Sequence, residues 1–438
     1  MPFDPVSFAM GKAAGGGSSV TVESLSVIQN GTYEESGKAY SPVVVDVQEP
    51  VIPAPIKDVV FVDYDGEIVY EYTAQEFLAL TEMPANPAHS GLTAQGWNWS
   101  FADAQTYVRD NECLVIGQNY TTSDGKTRIY ISVTEQNKVV PMYLHMQTSA
   151  KGCVTIDWGD GTTKVTDGNA DTDKTYTHSY AANGDYVITL ECTEGNTYRL
   201  GYGGSNHGIF YDNTNFGTCV SAKSVTAIEI GDRMTRLYDR AFRYAANLRK
   251  ISIPTTLTTF GSGVVGSYAD CLVFPDGCTS VSETPSCKFV AYPKTMTVPG
   301  AVGGGRLRAF TLTETSGAKS SNWTFPYAER ISIPGTYTTI GSSSNYRAIT
   351  GCCYCRKLVI PSTVTTIADY ALMGNYGVSE LHFKSTSVPT LANSRALAEG
   401  PSNRKIYVPY SEDHSILDAY KTATNWAIYA SQIQEEAQ

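Results

Sequence analysis

The sequence predicts a mainly β, multidomain protein: an N-terminal β module, a small α+β unit, a β-sandwich, and a C-terminal solenoid of short repeats closed by a terminal helix. Three observations carry this prediction. Glycine (38) and tyrosine (29) are abundant among 438 residues, and charged residues are only 17%, a composition of strands and turns. Prolines at 50, 53 and 55 form a stiff extended run that reads as a domain boundary. Residues 221–410 repeat with a period of 18 to 27 residues.

The elements follow in order. Residues 1–55 read as a tether and β attachment module: a small-residue lead through Gly15-Gly16-Gly17, then alternation at Leu25-Ser26-Val27. An Asn30-Gly31 turn and a β-branched strand from Pro42 to Val47 complete it. Residues 57–150 read as an α+β spacer. Val59 to Val62 and Ile68 to Tyr70 flank Asp63-Tyr64-Asp65-Gly66, which is hairpin chemistry, and Thr73/Glu76 and Ser100/Asp103 have helix-opening spacing. Further strands are expected at Cys113 to Ile116, Thr127 to Val133 and Val139 to Leu144.

Residues 151–220 carry a strand entering a tight turn, Ile156-Asp157-Trp158-Gly159-Asp160-Gly161, then His178-Ser179-Tyr180 and Gly184-Asp185-Tyr186-Val187-Ile188-Thr189-Leu190. This resembles a PKD-type immunoglobulin-like domain, which implies a rigid β-sandwich that spaces or binds weakly. An aromatic-rich connector follows it.

In the repeat, Ile251-Ser252-Ile253-Pro254 recurs as Ile331-Ser332-Ile333-Pro334 and Leu358-Val359-Ile360-Pro361, with Thr-Thr pairs after each proline. Two alternate side chains per strand face inward, and proline ends the strand where a ladder N–H is no longer needed. Strand ends are expected at Ile230, Ile253, Phe274, Tyr292, Leu312, Ile333, Ile360, Phe383 and Val408. No rung buries its apolar face alone, so stacking is obligatory. Residues 411–438 supply a cap, expected as one amphipathic helix from Ser415 to Ile433 with Ile416, Leu417, Tyr420, Trp426, Ile428 and Tyr429 on its apolar face. The repeats, with Ala241-Phe242 ten residues before Ile251 and an ending at Ile406-Tyr407-Val408-Pro409, resemble BspA-like leucine-rich repeats of bacterial surface proteins. Residues 271–325 depart from the pattern.

The leader Phe3-Asp4-Pro5-Val6-Ser7-Phe8-Ala9-Met10-Gly11-Lys12 and the module from Asn30 to Val43 are similar to structural proteins of phages of gut Firmicutes. Gly91 to Trp99 is similar to segments that accompany PKD and leucine-rich units there. The resemblance implies a tail-type virion protein, which leaves the cell by lysis and needs no secretion signal; none is visible at the N-terminus.

Chemistry-bearing motifs are sparse. Asp63-Tyr64-Asp65-Gly66 mimics a haloacid-dehalogenase nucleophile, but Glu67 stands where a threonine is required, so it reads as a hairpin turn. Asp167, Asn169, Asp171 and Asp173 alternate as calcium ligands do, without the glycine and glutamate of a calcium loop; a solvated loop is the favoured reading. The cysteines, among them Cys271, Cys278, Cys352, Cys353 and Cys355, lack paired zinc spacing and read as buried free thiols. Tyr198, Tyr202, His207, Phe210, Tyr211 and Phe216 crowd a Gly/Asn-rich stretch and are candidates for a binding surface. Packing that caps the solenoid is the alternative for them.

A net charge of −11 disfavours nucleic acid as a partner, and no apolar run is long enough to insert in a membrane. The expectation is a non-enzymatic virion protein without cofactor. Residues 1–55 would engage other virion proteins, and the solenoid a host cell-surface glycan or protein, in a homo-oligomer or multicopy display. The alternatives are a phage decoration protein without receptor and a bacterial cell-surface adhesin.

Overall fold

The computed structural model describes residues 57–437, apart from 147–151, 168–171, 202–207, 211–219, 265–268, 282–286, 297–308, 312–317, 342–347 and a few shorter stretches. Before residue 57 it describes four strands. The chain divides into residues 1–55 and 56–438. In the first unit, Leu25–Gln29 pairs antiparallel with Val43–Val47, and Tyr33–Glu35 with Lys38–Tyr40.

The protein is mainly β, and in the second unit the short repeat strands set its layout. Alternation sends Ile228, Ile251, Ile253, Leu272, Phe274, Val290, Tyr292, Ile331, Leu358, Ile360, Leu381, Phe383, Ile406 and Val408 into one continuous core, all nearly inaccessible. The strands that carry them, from Val225–Glu229 through Lys405–Val408, run parallel and end within one residue of the expected positions. Parallel pairing joins Cys271–Val273, Phe289–Ala291, Ala309–Thr311 and Arg330–Ser332, and likewise Lys357–Ile360, Glu380–Phe383 and Lys405–Val408. The Thr-Thr segments after the prolines form a second parallel ladder, Thr339–Ile340, Thr366–Ile367 and Thr390–Leu391.

The boundaries expected at 150 and 220 fall inside shared sheets. Thr127–Val133 pairs antiparallel with Gly184–Cys192 on one side and with Val225–Glu229 on the other. Val225–Glu229 then pairs parallel with Lys250–Ser252. In the facing sheet, Val139–Met146 pairs with Thr172–Ser179 and Tyr198–Leu200, and Tyr198–Leu200 continues in parallel to Met234–Leu237 and Thr259–Phe260. Both sheets of the sandwich therefore run on into the stack. The physical reason is the first rung's open edge, which would otherwise present unpaired N–H and carbonyl groups.

Residues 57–122 form a four-stranded sheet ordered Ile68–Tyr72, Val59–Val62, Leu114–Thr122, Leu92–Trp97. The capping box of Thr73 and Glu76 and the Ser100 cap open its two helices, Ala74–Leu78 and Phe101–Asn111. One face packs Val59, Phe61, Leu114 and Ile116 against Phe77, Trp99, Ala104 and Val108. The other face, Val60, Val62 and Val115, packs on the outward side chains of two rungs, Cys271, Val273, Phe289 and Ala291. A sheet buried on both faces explains the uninterrupted apolar run Val59-Val60-Phe61-Val62. The unit expected as a spacer is thus a cover on the stack.

Polar contacts fix that cover in register. The rungs end at Pro254, Pro275 and Pro293, which have no N–H to donate. The carbonyl before each is taken by a side chain of the cover: Asn119 Nδ2 donates to Ile253 O (3.0 Å), Asn98 Nδ2 to Phe274 O (3.1 Å), and Trp99 Nε1 to Tyr292 O (2.8 Å). Asn98 also donates to Ala291 O (3.0 Å) and accepts from Gly117 N (2.9 Å). Gly117 is required by close approach: a Cβ there would lie 2.5 Å from Val273 Cγ2 and 2.8 Å from Ala291 Cβ.

The C-terminal cap differs from the single helix expected. The helix spans Ser415–Thr422, Asn425 turns the chain at φ 65°, a 3-10 turn covers Ala427–Gln432, and Ile433–Glu435 adds a last parallel strand beside Lys405–Val408. The reason lies in the carbonyls left by the second ladder. Trp426 Nε1 reaches Pro389 O (2.8 Å) and Asn425 Nδ2 reaches Leu391 O (2.9 Å), contacts a continuous helix would not make. Trp426 and Tyr420 fill the end of the core against Phe383, whereas Ile428 faces solvent.

Two outcomes are expected. Asn98→Ala orphans the buried Phe274 carbonyl and the Gly117 amide, although Ala291 O keeps its bond from Phe274 N, and lowers stability by about 2–3 kcal/mol in denaturant unfolding, while Asn86→Ala, exposed, stays within about 0.5 kcal/mol. Residues 221–438 expressed alone, with both sandwich edges bared, associate in size-exclusion chromatography, whereas residues 56–438 elute as a single species.

Candidate binding surface

The sequence-expected aromatic candidates do not form a surface. Tyr198 is buried, its hydroxyl donating to Thr127 Oγ1 (2.6 Å), and Phe210 is fully buried in the common core. Alternation of Tyr198 and Leu200 along a strand is the signal that could have separated core from surface. Tyr202, His207, Tyr211 and Phe216 lie outside the described residues. Of the calcium candidates, Asp167 accepts from Tyr176 Oη (3.0 Å), which holds its carboxyl below the usual range, and Asp173 pairs with His145 Nδ1 (2.7 Å). Asn169 and Asp171 lie outside the described residues, and no group of three metal-ligating side chains occurs among those described.

The Asp63 motif is a hairpin turn closed by Gly66 N to Asp63 O (3.0 Å). Its buried carboxylate is engaged by His89 Nε2 (2.6 Å) and by the amide of Tyr64 (2.7 Å), beneath Tyr64 and Tyr120. Burial raises the Tyr64 phenol to about 12. His178 stacks on Trp158 (4.9 Å, 16°) and bonds Asp160 (2.7 Å), packing from its own sheet onto the turn that follows a strand of the other. Cys271, Cys278, Cys352 and Cys355 are buried free thiols, but Cys353 is exposed.

A charged seam continues the cover's footprint past the apolar rungs. Lys357 pairs with Asp58 (3.3 Å) and Glu112; Lys384 pairs with Glu112 and with Glu436 (3.2 Å), which also meets His382 Nδ1 (2.8 Å). Burial pushes the Glu112 carboxyl up, but Lys357 and Lys384 outweigh it and hold it at about 2. Burial likewise disfavours the Lys357 charge, and Glu112 and Asp58 more than restore it. Glu112 holds this place at φ 60°, at the end of helix Phe101–Asn111. The cover thus meets the rungs at Cys271, Val273, Phe289 and Ala291 and again at Lys357 and Lys384.

The stack meets solvent at the turn preceding the strands. Tyr327 and Tyr354 stand three residues before strands Arg330–Ser332 and Lys357–Ile360, and Tyr376 four before Glu380–Phe383. Their exposures are 52%, 59% and 60%, and the Tyr327 and Tyr354 rings lie near parallel (18°) with centroids 6.1 Å apart. Tyr376 Oη donates to Glu399 Oε2 (3.1 Å). The turns at Tyr354 and Tyr376 are tied to one another and to the core. Gly377 N donates to Cys352 O (2.8 Å), a Cβ on Gly377 would lie 2.2 Å from Cys353 O, and buried Asn375 donates to Ile349 O and Leu372 O (both 2.9 Å). Sequence reasoning missed this row, although a tyrosine recurring just before successive strands was a visible signal.

The Glu112 carboxyl, depressed from 4.5, adds stability that is complete above about pH 4.5 and is lost as pH falls toward 2. Glu112→Gln, which leaves the partly buried Lys357 and Lys384 with only Asp58 and Glu436 as partners, lowers stability at neutral pH by about 1–2 kcal/mol. In melts recorded across pH, the gap between variant and parent closes as pH approaches about 2.

No curated protein matches the chain. Among solved structures, a leucine-rich repeat protein from Bacteroides ovatus is similar at 15% identity and TM-score 0.31, over 59% of this chain and 66% of that one. The chain thus spans just under two thirds of that protein's length. The pneumococcal vaccine antigen PcpA is similar at 14% identity and TM-score 0.22, over 47% of this chain and 72% of that one. The family model for the BspA type leucine-rich repeat region matches residues 212–284 and 321–413 in six copies. Those two stretches, on either side of the irregular middle rungs, are BspA-type leucine-rich repeats.

Proposed function

We propose that the chain is a non-enzymatic, surface-binding protein of adhesin type carried on a virion. Residues 1–55 attach it to other particle proteins, and the repeats, read as a solenoid, face a host cell-surface glycan or protein. The observation that carries the reading is the row of exposed tyrosines on BspA-type repeats. Tyrosine offers large rigid contact area at low entropic cost. Residues 151–195 are read as a PKD-type module fused to the first rung. The strand Val154–Asp157, the turn held by Asp160 on Thr162 N (3.1 Å), and Tyr180 Oη on Trp158 O (2.8 Å) support that reading. The virion assignment is supported by the leader and by the Asn30 to Val43 module. Many copies per particle turn weak contacts into avidity.

The reading is tested on the full chain. Labelled protein binds host cells saturably, and the combined Tyr327→Ala, Tyr354→Ala, Tyr376→Ala variant, folded as judged by its melt, loses binding at least about tenfold. Mass spectrometry of gradient-purified particles finds the protein in many copies. Absence of cell binding, with particle instability on deletion, would mean a decoration protein. Recovery only from envelopes of intact producing cells would mean a bacterial surface adhesin.

A further inference from the structure

We propose that Tyr327, Tyr354 and Tyr376 bind a neutral polysaccharide laid along the stack, with successive pyranose units resting on successive rungs. This rests on the surface-binding reading above and names the ligand class. The row has the attributes such a ligand needs. Its rings recur once per rung, so the surface is itself a repeat and fits a repeating chain better than a globular epitope. Strand-to-strand spacing in a parallel ladder is about 4.8 Å, and the first two ring centroids are 6.1 Å apart, so neighbouring rings suit adjacent units of one chain.

The chemistry agrees. A pyranose presents an apolar C–H face that packs on an aromatic ring while its hydroxyls stay in water, and a phenol adds a polar tip at the rim. Each of the three residues is more than half exposed, so the row keeps area for a ligand. Glu399 fixes the Tyr376 phenol, and the Asn375 and Gly377 contacts fix the turns, so little order is lost on binding. Charge selects among polysaccharides. The protein carries −11, and the exposed Arg356 near Tyr354 offsets Glu399 on the row only in part, so the balance favours a neutral chain over an anionic one. The exposed Cys353, adjacent to Tyr354, provides a reporter.

The test titrates full-length protein with neutral oligosaccharides of graded length (β-1,4-gluco-, β-1,4-xylo- and α-1,6-manno-oligomers) and with polygalacturonate, by calorimetry and by the rate of maleimide labelling of Cys353 against a Cys353→Ser control. At least one neutral series binds, its affinity rising from the dimer to about the tetramer and then levelling, and labelling slows on saturation. Each Tyr→Ala weakens binding about tenfold, and Tyr→Phe holds it within about threefold. Polygalacturonate does not compete. Neutral saccharides that fail to bind, or bind equally well to the triple alanine variant, overturn the inference. If cells are still bound through the tyrosines in that case, the adhesin reading survives with a different ligand. If neither cells nor saccharides are bound, both fall.

Discussion

The pre-proline carbonyl is the constraint on which the rest of this structure depends. A short rung ended by proline buries two apolar side chains cheaply but leaves a carbonyl facing a neighbour with no N–H to give. In a dry interface such a group costs on the order of 1–3 kcal/mol if unmet. Asn119, Asn98 and Trp99 meet it on three rungs in succession. The side chains that do so come from a segment more than a hundred residues earlier in the chain. The covering sheet is therefore placed by the rungs, not by a linker.

Once the cover is placed, the other features follow. Apolar outward residues occur on the rungs it touches, Cys271, Val273, Phe289 and Ala291, and charged ones, Lys357 and Lys384, where its helix end arrives. Gly117 must be glycine because strand Leu114–Thr122 passes within contact of two rungs. The sandwich closes one end of the stack by sharing both sheets, and Trp426 with the strand Ile433–Glu435 closes the other. The turns that carry Tyr327, Tyr354 and Tyr376 remain exposed.

Much of this was legible in the sequence because it is local. The strand ends, the capping box at Thr73 and Glu76, the hairpin at Asp63 and the repeat period depend on residues within a few positions of one another. What could not be read was long-range. The Trp97-Asn98-Trp99 segment gave no sign that two of its side chains seek carbonyls near residues 274 and 292. Val59 to Val62 read as one strand of a hairpin, without sign that both of its faces are buried or by what. Tyr198 looked like a surface aromatic until its strand pairing placed it in the core. The last helix stopped early because Asn425 and Trp426 are drawn to carbonyls on the second ladder, which no helical periodicity encodes.

Native-state hydrogen exchange on the full chain tests the central claim most directly. If the cover and the stack are one body, amides of Val60, Phe61 and Ile116 and those of Leu272 and Val290 exchange through the same opening, with one free energy and one denaturant slope. If the strands of residues 59–122 open at distinctly lower free energy while the rungs stay protected, the cover is a loosely tethered domain and the account is wrong.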